Sequence, residues 1–293
     1  MFSRVKALYS IVNIKIIYLL DLAALGGMFL ALNKISYSLI TQAIGLIIGG
    51  SLASYGSLLV NKGYEVEKDR LMTRTKHRIE YEDYIGRRKI ILLGLSLLAL
   101  GTLVTALIVS PISSFFVFLG GFTYIVIYTI WLKPRTPLNI VIGGLAGSAA
   151  SWAGFSAVTN PFNLANLFPF LILGVLVFCW TPGHFWALAL RYKEDYKRAG
   201  FPMLPVIRDE RESARMIVLS NVIMIASALA LGIYLGLEYL IPVSAISSLL
   251  IYYNLKLYFN PTKEESWVNF KFSSPYLAFI LLIIIIIKIL TLI

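Results

Sequence analysis

The chain is a series of apolar runs of about 20 residues, each long enough to cross hydrocarbon as a helix, separated by polar stretches. The pattern predicts nine spans, at 14–32, 38–60, 89–109, 113–132, 138–158, 166–190, 214–236, 240–259 and 274–293. Within lipid, such continuous runs satisfy their backbone hydrogen bonds only as helices, which argues against strands. The opening MFSRVKALYSIVNIKIIYLL sets basic residues before an apolar run, as a signal peptide does. It continues through DLAALGGMFLAL without a convincing small-residue cleavage site, so it reads as a retained first span. The expected fold is an all-α membrane protein, nine transmembrane helices in one bundle around a central polar-mouthed cavity, forming a single domain over residues 1–293.

Composition agrees: 58% of residues are hydrophobic and only 14% charged, where a soluble domain has about a quarter charged. The single cysteine, Cys179, excludes an intrachain disulfide and a multi-cysteine metal site. Charge is what distinguishes the connections. Of the 26 Lys and Arg, 24 fall on the predicted side that holds the N-terminus, Arg4 and Lys6 among them, and only Lys34 and Lys288 on the other. The positive-inside rule then puts the N-terminus in the cytoplasm and the C-terminus outside, in a multi-pass cell-membrane protein. The net charge of +11 reports this topology. With the cations confined to juxtamembrane loops, nucleic-acid binding is not expected.

Two cytoplasmic connections, about 61–88 and 191–213, are longer than the 2–8 residues or so that join bundle helices, and they hold most of the acids. In NKGYEVEKDRLMTRTKHR (61–78), Asn61, Glu65 and Asp69 recur at i, i+4 and i+8, within about 80° of one helix face, while Glu67 points elsewhere. Two readings are open. One is a solvated helix end whose acids pair with Lys68 and Arg70. The other is a divalent-cation site, in which one or two carboxylates hold Mg²⁺ against substrate phosphate and Arg74, Lys76 and Arg78 offset the remaining charge. In LRYKEDYKRAGFPMLPVIRDE (190–210), Arg191 and Asp195 could form a plain i, i+4 ion pair. Alternatively, Glu194 and Asp195 could face the first loop across a polar cavity.

The order of these motifs over residues 55–210 resembles the intramembrane prenyltransferase superfamily, and within it the protoheme IX farnesyltransferases, or heme O synthases. Besides the first loop, YTIWLKPRTPLNIVIGGLAGSAASWAGFSAVT (128–159) and WTPGHFWALALRYKEDYKRAGFPMLPV (180–206) carry the likeness, and the last is similar to the heme branch specifically. There are departures: Glu65 stands where Asp is usual, Gly183 for a second proline and His77 for an asparagine, and Lys15 lacks the Pro-Arg that commonly follows it.

The resemblance implies transfer of the farnesyl group of farnesyl diphosphate to a vinyl group of heme b, with addition of water to give heme O. It implies Mg²⁺ held by Asn61, Glu65, Asp69, Asp195 and Glu194, with Arg74, Lys133, Arg135, Arg191 and Lys193 on the diphosphate. Heme contacts fall to His184 and Trp180, and a heme A synthase or terminal oxidase would take the product. A quinone precursor or glycerol-phosphate lipid is the alternative acceptor, and a transporter the rival class.

Several assignments remain two-sided. His184 could contact heme, even ligate its iron, hydrogen-bond a neighbouring helix, or move a proton. Lys133 and Arg135 could serve topology alone. Tyr124, Tyr128 and Trp131 share helical spacing suited to shielding an allylic cation, though Trp131 could equally anchor at the interface. Asp21, costing about 2.5–3.5 kcal/mol at a span centre, should face the interior, with Lys15 as one candidate partner. Asn139, at the start of the fifth span, could contact substrate or cap that helix, and capping is the expectation. The small residues of GGLAGSAASWAG (143–154) suit close helix packing and leave room for a flat tetrapyrrole.

Overall fold

The computed structural model describes residues 4–292; the side chains of Arg4 and Lys6 lie outside the described residues. Among those residues nine helices are long and apolar enough to cross a membrane, and there is no strand. In chain order the helices are α1 (Arg4–Ile11), α2 (Ile14–Ala31), α3 (Ser38–Arg70), α4 (Ile79–Ile85) and α5 (Arg87–Ile108). They continue with α6 (Pro111–Phe122), α7 (Asn139–Gly143), α8 (Leu145–Val158), α9 (Leu164–Arg191), α10 (Lys193–Arg198) and α11 (Leu204–Ile207). The last are α12 (Glu210–Ala230), α13 (Gly232–Leu235), α14 (Leu237–Phe259) and α15 (Lys263–Leu292).

The helix ends differ from the hydropathy pattern where polar residues continue a helix beyond the lipid. At 33 residues, α3 is about 50 Å long against a hydrocarbon core of about 30 Å. Its last three turns, from Asn61 to Arg70, are therefore one rigid extension of a span. The seventh span starts at Glu210 instead of 214 because Asp209 caps it, accepting a hydrogen bond from the Glu212 amide at 2.7 Å. The last span starts at Lys263, not 274, with Glu264 and Glu265 in its first turn beside the positive end of the helix dipole.

Ion pairs join the charged connections to one another. Lys133 reaches Glu65, Lys193 lies near Glu210, and Arg191 pairs with Glu264. These connections therefore share one end of the bundle. The helices pack through small residues. On α3 and α5, Gly49, Gly56, Gly94 and Gly101 face the opposing backbone, and a Cβ on Gly94 would sit 2.6 Å from the Gly56 carbonyl oxygen and 2.9 Å from the Val60 amide. Around the second half of the bundle, Tyr239 donates to the Ala228 carbonyl at 2.9 Å and Tyr276 shares a hydrogen bond with Ser247. Both rings are fully buried and their hydroxyls satisfied.

Between α2, α3, α6, α8 and α9 lies a mostly apolar cavity enclosing about 1160 Å³ of empty space, its opening included. Gly120, Gly121, Gly143 and Gly147 line it, so the small residues of α7 and α8 both pack closely and leave space: Gly154 packs against the Ala24 backbone while Gly143 and Gly147 border the cavity. Asp21 faces this cavity and accepts from Ser51 at 2.6 Å, so its partner is Ser51 and not the exposed Lys15. Gly94→Val is expected to lower the thermal midpoint of the detergent-solubilised protein by several degrees, since overpacking costs about 1–3 kcal/mol. Melting followed by circular dichroism measures this.

Candidate active site

Asn61, Glu65 and Asp69 are all buried on one face of α3, while Glu67 is exposed. Their partners are not the neighbouring cations that spacing offered. Glu65 accepts from Lys133 at 2.5 Å and Asp69 from Lys62 at 2.6 Å, whereas Arg70 turns outward to Glu67 and Asp83. The Asn61 amide donates to the Thr129 hydroxyl at 3.1 Å. One oxygen of Glu65, Oε1, is buried without a hydrogen-bond partner.

The partner Lys133 is delivered by an irregularity that hydropathy does not reveal. After α6 the fourth span continues as a π-helix, Thr123–Leu132, closed by the Lys133 amide bonding to the Tyr128 carbonyl at 2.8 Å. The wider turn stacks Tyr124 on Tyr128, ring centroids 5.5 Å apart, and both line the cavity. Such π segments recur at functional sites. Burial works against the Lys133 ammonium, but the Glu65 carboxylate outweighs it and holds the pKa above the ordinary lysine value. Trp131, of the same aromatic set, points outward and is 58% exposed, as an interfacial anchor is.

The second loop docks on the first. The Arg74 amide donates to Asp195 at 3.0 Å, and Arg198 ion-pairs with Asp195 while reaching the Leu71 carbonyl and Thr73. The plain Arg191–Asp195 pair is therefore absent. Burial opposes the Arg74 charge, but Tyr196, Asp69, Tyr192 and Asp195 together raise its pKa. Its Nε is buried without a partner. Gly200, at φ 67, ends α10 in a conformation that favours glycine and turns the chain so that Phe201 is buried. The Phe201 ring then lies 4.3 Å from the Lys68 ammonium and 4.7 Å from that of Lys133.

Cations and hard oxygen donors thus gather next to Tyr128, a ring that lines the apolar cavity and lies 5.3 Å from the Lys133 ammonium, and the chain can be compared with known proteins. The model of the UbiA prenyltransferase family matches residues 21–283. The chain belongs to that family. It is 52% identical over 271 residues to the protoheme IX farnesyltransferase of Metallosphaera sedula, covering 92% of each chain. To the protoheme IX farnesyltransferase of Sulfurisphaera tokodaii it is 50% identical, covering 94% of this chain and 90% of that one. Among solved structures it is similar to digeranylgeranylglyceryl phosphate synthase (TM-score 0.77, 18% identity, 98% and 99% covered). It is also similar to a UbiA homologue of Archaeoglobus fulgidus bound to DMAPP and Mg²⁺ (TM-score 0.65, 15% identity, 95% and 98% covered). These distant structural likenesses show the UbiA fold.

Other residues singled out from sequence are less closely gathered in this UbiA chain. Arg135 is exposed and donates to the carbonyls of Ile130 and Trp131, Arg191 is engaged by Glu264, and Lys193 stands 3.9 Å from Glu210. Glu194 is exposed beside buried Asp195. His184 does not line the cavity. Its Nδ1 shares a 2.7 Å hydrogen bond with Ser273, and its ring stacks between Trp180 and Phe270 at centroid distances of 4.6 and 4.2 Å. The helix-bonding reading of His184 is the one this geometry fits. Trp180 does face the cavity, and its Nε1 is buried without a partner. Asn139 does not cap its helix but donates back to the Thr136 carbonyl.

Hydropathy gave no signal for Thr129 or Lys62, and none for Glu82 on α4. Glu82 is 1% exposed and neither carboxyl oxygen has a hydrogen-bond partner. Burial pushes its pKa up to about 7, against the opposing pull of Lys62 and Arg78. Arg78, itself buried in part and repelled by Arg74, has a lowered pKa. A carboxyl whose folded pKa is raised binds more protons folded than unfolded between its ordinary value of 4.5 and about 7. Stability should therefore fall as pH rises through that window. Glu82→Gln is expected to flatten this part of the pH–stability curve, measured by thermal melting between pH 4.5 and 8.

Proposed function

We propose that this chain transfers the farnesyl group of farnesyl diphosphate to a vinyl group of heme b, producing heme O, at a site on the cytoplasmic side of the cell membrane. One observation carries the reading: two charged loops from separate spans dock through Arg74 and Asp195, and the acid face of the first is bonded to Lys133, which lies against Tyr128 in the wall of an apolar cavity. Relatives about half identical to it are protoheme IX farnesyltransferases. The product would pass to a heme A synthase or terminal oxidase.

The chemistry of the donors suits Mg²⁺ completed by substrate phosphate, for among the described residues no three acidic, cysteine or histidine side chains are gathered as a metal site by themselves. Asn61, Glu65, Asp69 and Asp195 offer hard oxygens, Glu65 with one oxygen unpartnered, and Mg²⁺ takes one or two carboxylates together with substrate phosphates. Glu194, exposed at the rim, is the remaining carboxylate. Mg²⁺ bound there would neutralise charge that develops on the diphosphate as the allylic C–O bond breaks.

The chain's own groups do the rest. Arg74 and Lys133, both buried in part or whole at the mouth, bind phosphate oxygens, the arginine by its planar fork and the lysine as a point charge. Lys193, Arg135 and Arg191 extend the positive rim. The stacked Tyr124 and Tyr128 offer ring faces to a developing allylic cation and exclude water from it. The apolar walls of the cavity take the prenyl chain and the porphyrin, with Trp180 along one wall.

The test is chromatography of heme extracted from membranes supplied with heme b and farnesyl diphosphate. Wild type should yield a more hydrophobic heme, and chelation of divalent cations should abolish the yield. Asp69→Ala and Asp195→Ala should each lower the rate by about 10²–10³, the usual cost of one electrostatic stabiliser of a transition state. Undiminished yields from both variants would contradict the site assignment, and prenylation of a phenolic acid or glycerol phosphate with heme untouched would contradict the acceptor.

A further inference from the structure

Lys62 occupies the place a cation would need. Its ammonium is 2.6 Å from Asp69 Oδ2, and its side chain is only 13% exposed. A divalent cation on Asp69 and this ammonium would repel each other at close range, so the lysine has to leave when the cation arrives. An ammonium this little exposed leaves at a desolvation cost unless another acceptor receives it. Glu82 is the available acceptor: it is 1% exposed and has no hydrogen-bond partner on either oxygen, and the Lys62 charge opposes the burial that raises its pKa. It stands on α4, which packs against α3, the helix that carries Lys62 and Asp69.

We propose that Glu82 is a positioning residue that receives Lys62 when a divalent cation enters, so that Lys62 guards Asp69 in the empty site and Glu82 holds it aside in the loaded one. The exchange rests on the metal–diphosphate reading above. It forms and breaks no covalent bond; the flexible lysine stem carries three donors from one carboxylate to another. The arrangement keeps Asp69 neutralised within a low-dielectric site whether or not the cation is present.

The test is a double-mutant cycle on the purified, detergent-solubilised chain, with Mn²⁺ alone as the probe and its free concentration read by electron paramagnetic resonance. Glu82→Gln should weaken Mn²⁺ binding about tenfold, the size of one ion-pair coupling. In a Lys62→Met background, where nothing needs receiving, the same substitution should change affinity by less than about twofold. Glu82→Asp should restore part of the loss. Equal effects of Glu82→Gln in both backgrounds, as simple attraction between Glu82 and the cation or general loosening would give, would overturn the exchange. Lys62→Met alone should tighten Mn²⁺ binding, and unchanged or weaker binding would also overturn it, even if Glu82 variants fail to fold. Absence of Mn²⁺ binding to wild type, both alone and with inorganic pyrophosphate added, would instead remove the metal reading itself, and the exchange with it.

Discussion

A buried carboxylate at the edge of a bilayer remains charged only if a cation is within reach, and that constraint organises the functional end of this protein. Glu65, Asp69, Asp195 and Glu82 are all nearly inaccessible. The first three have basic partners, each held by a different part of the chain: Lys133 after the π-helix, Lys62 on α3 itself, and Arg198 with the Arg74 amide. Satisfying these charges therefore draws three connections together. Glu82 is the exception, and its raised pKa is the physical consequence.

The fold supports this by rigidity. α3 runs unbroken from the membrane to Arg70, so its acid face is fixed relative to the cavity wall formed by the same helix. The glycine seam between α3 and α5 lets the backbones approach closely. α9 similarly runs through Pro169 and Pro182 to Arg191 and delivers the second loop. Gly183 leaves room for Asn221, which donates to Asn254 and Asn269 and ties α9's neighbours together in the membrane. The departure from proline at this position thus has a packing partner.

Much of this was legible in sequence, for identifiable reasons. Spans are readable because lipid leaves helices as the only solution for a 20-residue apolar run. The acid face of α3 is readable because i, i+4, i+8 spacing has one meaning on a helix. What escaped depended on contacts between distant segments. The π-helix at Thr123–Leu132 has the same hydropathy as an α-helix, so nothing announced that Tyr124 would stack on Tyr128. His184 looked central because of its surroundings in the chain, yet Ser273 and Phe270, some 90 residues away, decide its direction. Nothing in the sequence singles out Lys62 or Glu82 among the loop charges; their burial does.

The central claim, that the two charged loops from separate spans meet at one end of the bundle, is measurable without substrate. Spin labels at exposed Glu67 and Lys197, each replaced by cysteine with Cys179→Ser, would report the separation by pulsed electron–electron resonance in lipid nanodiscs. The account predicts one narrow distribution at the short end of the measurable range. A broad distribution, or a separation on the order of the 30 Å hydrocarbon thickness or beyond, would contradict it.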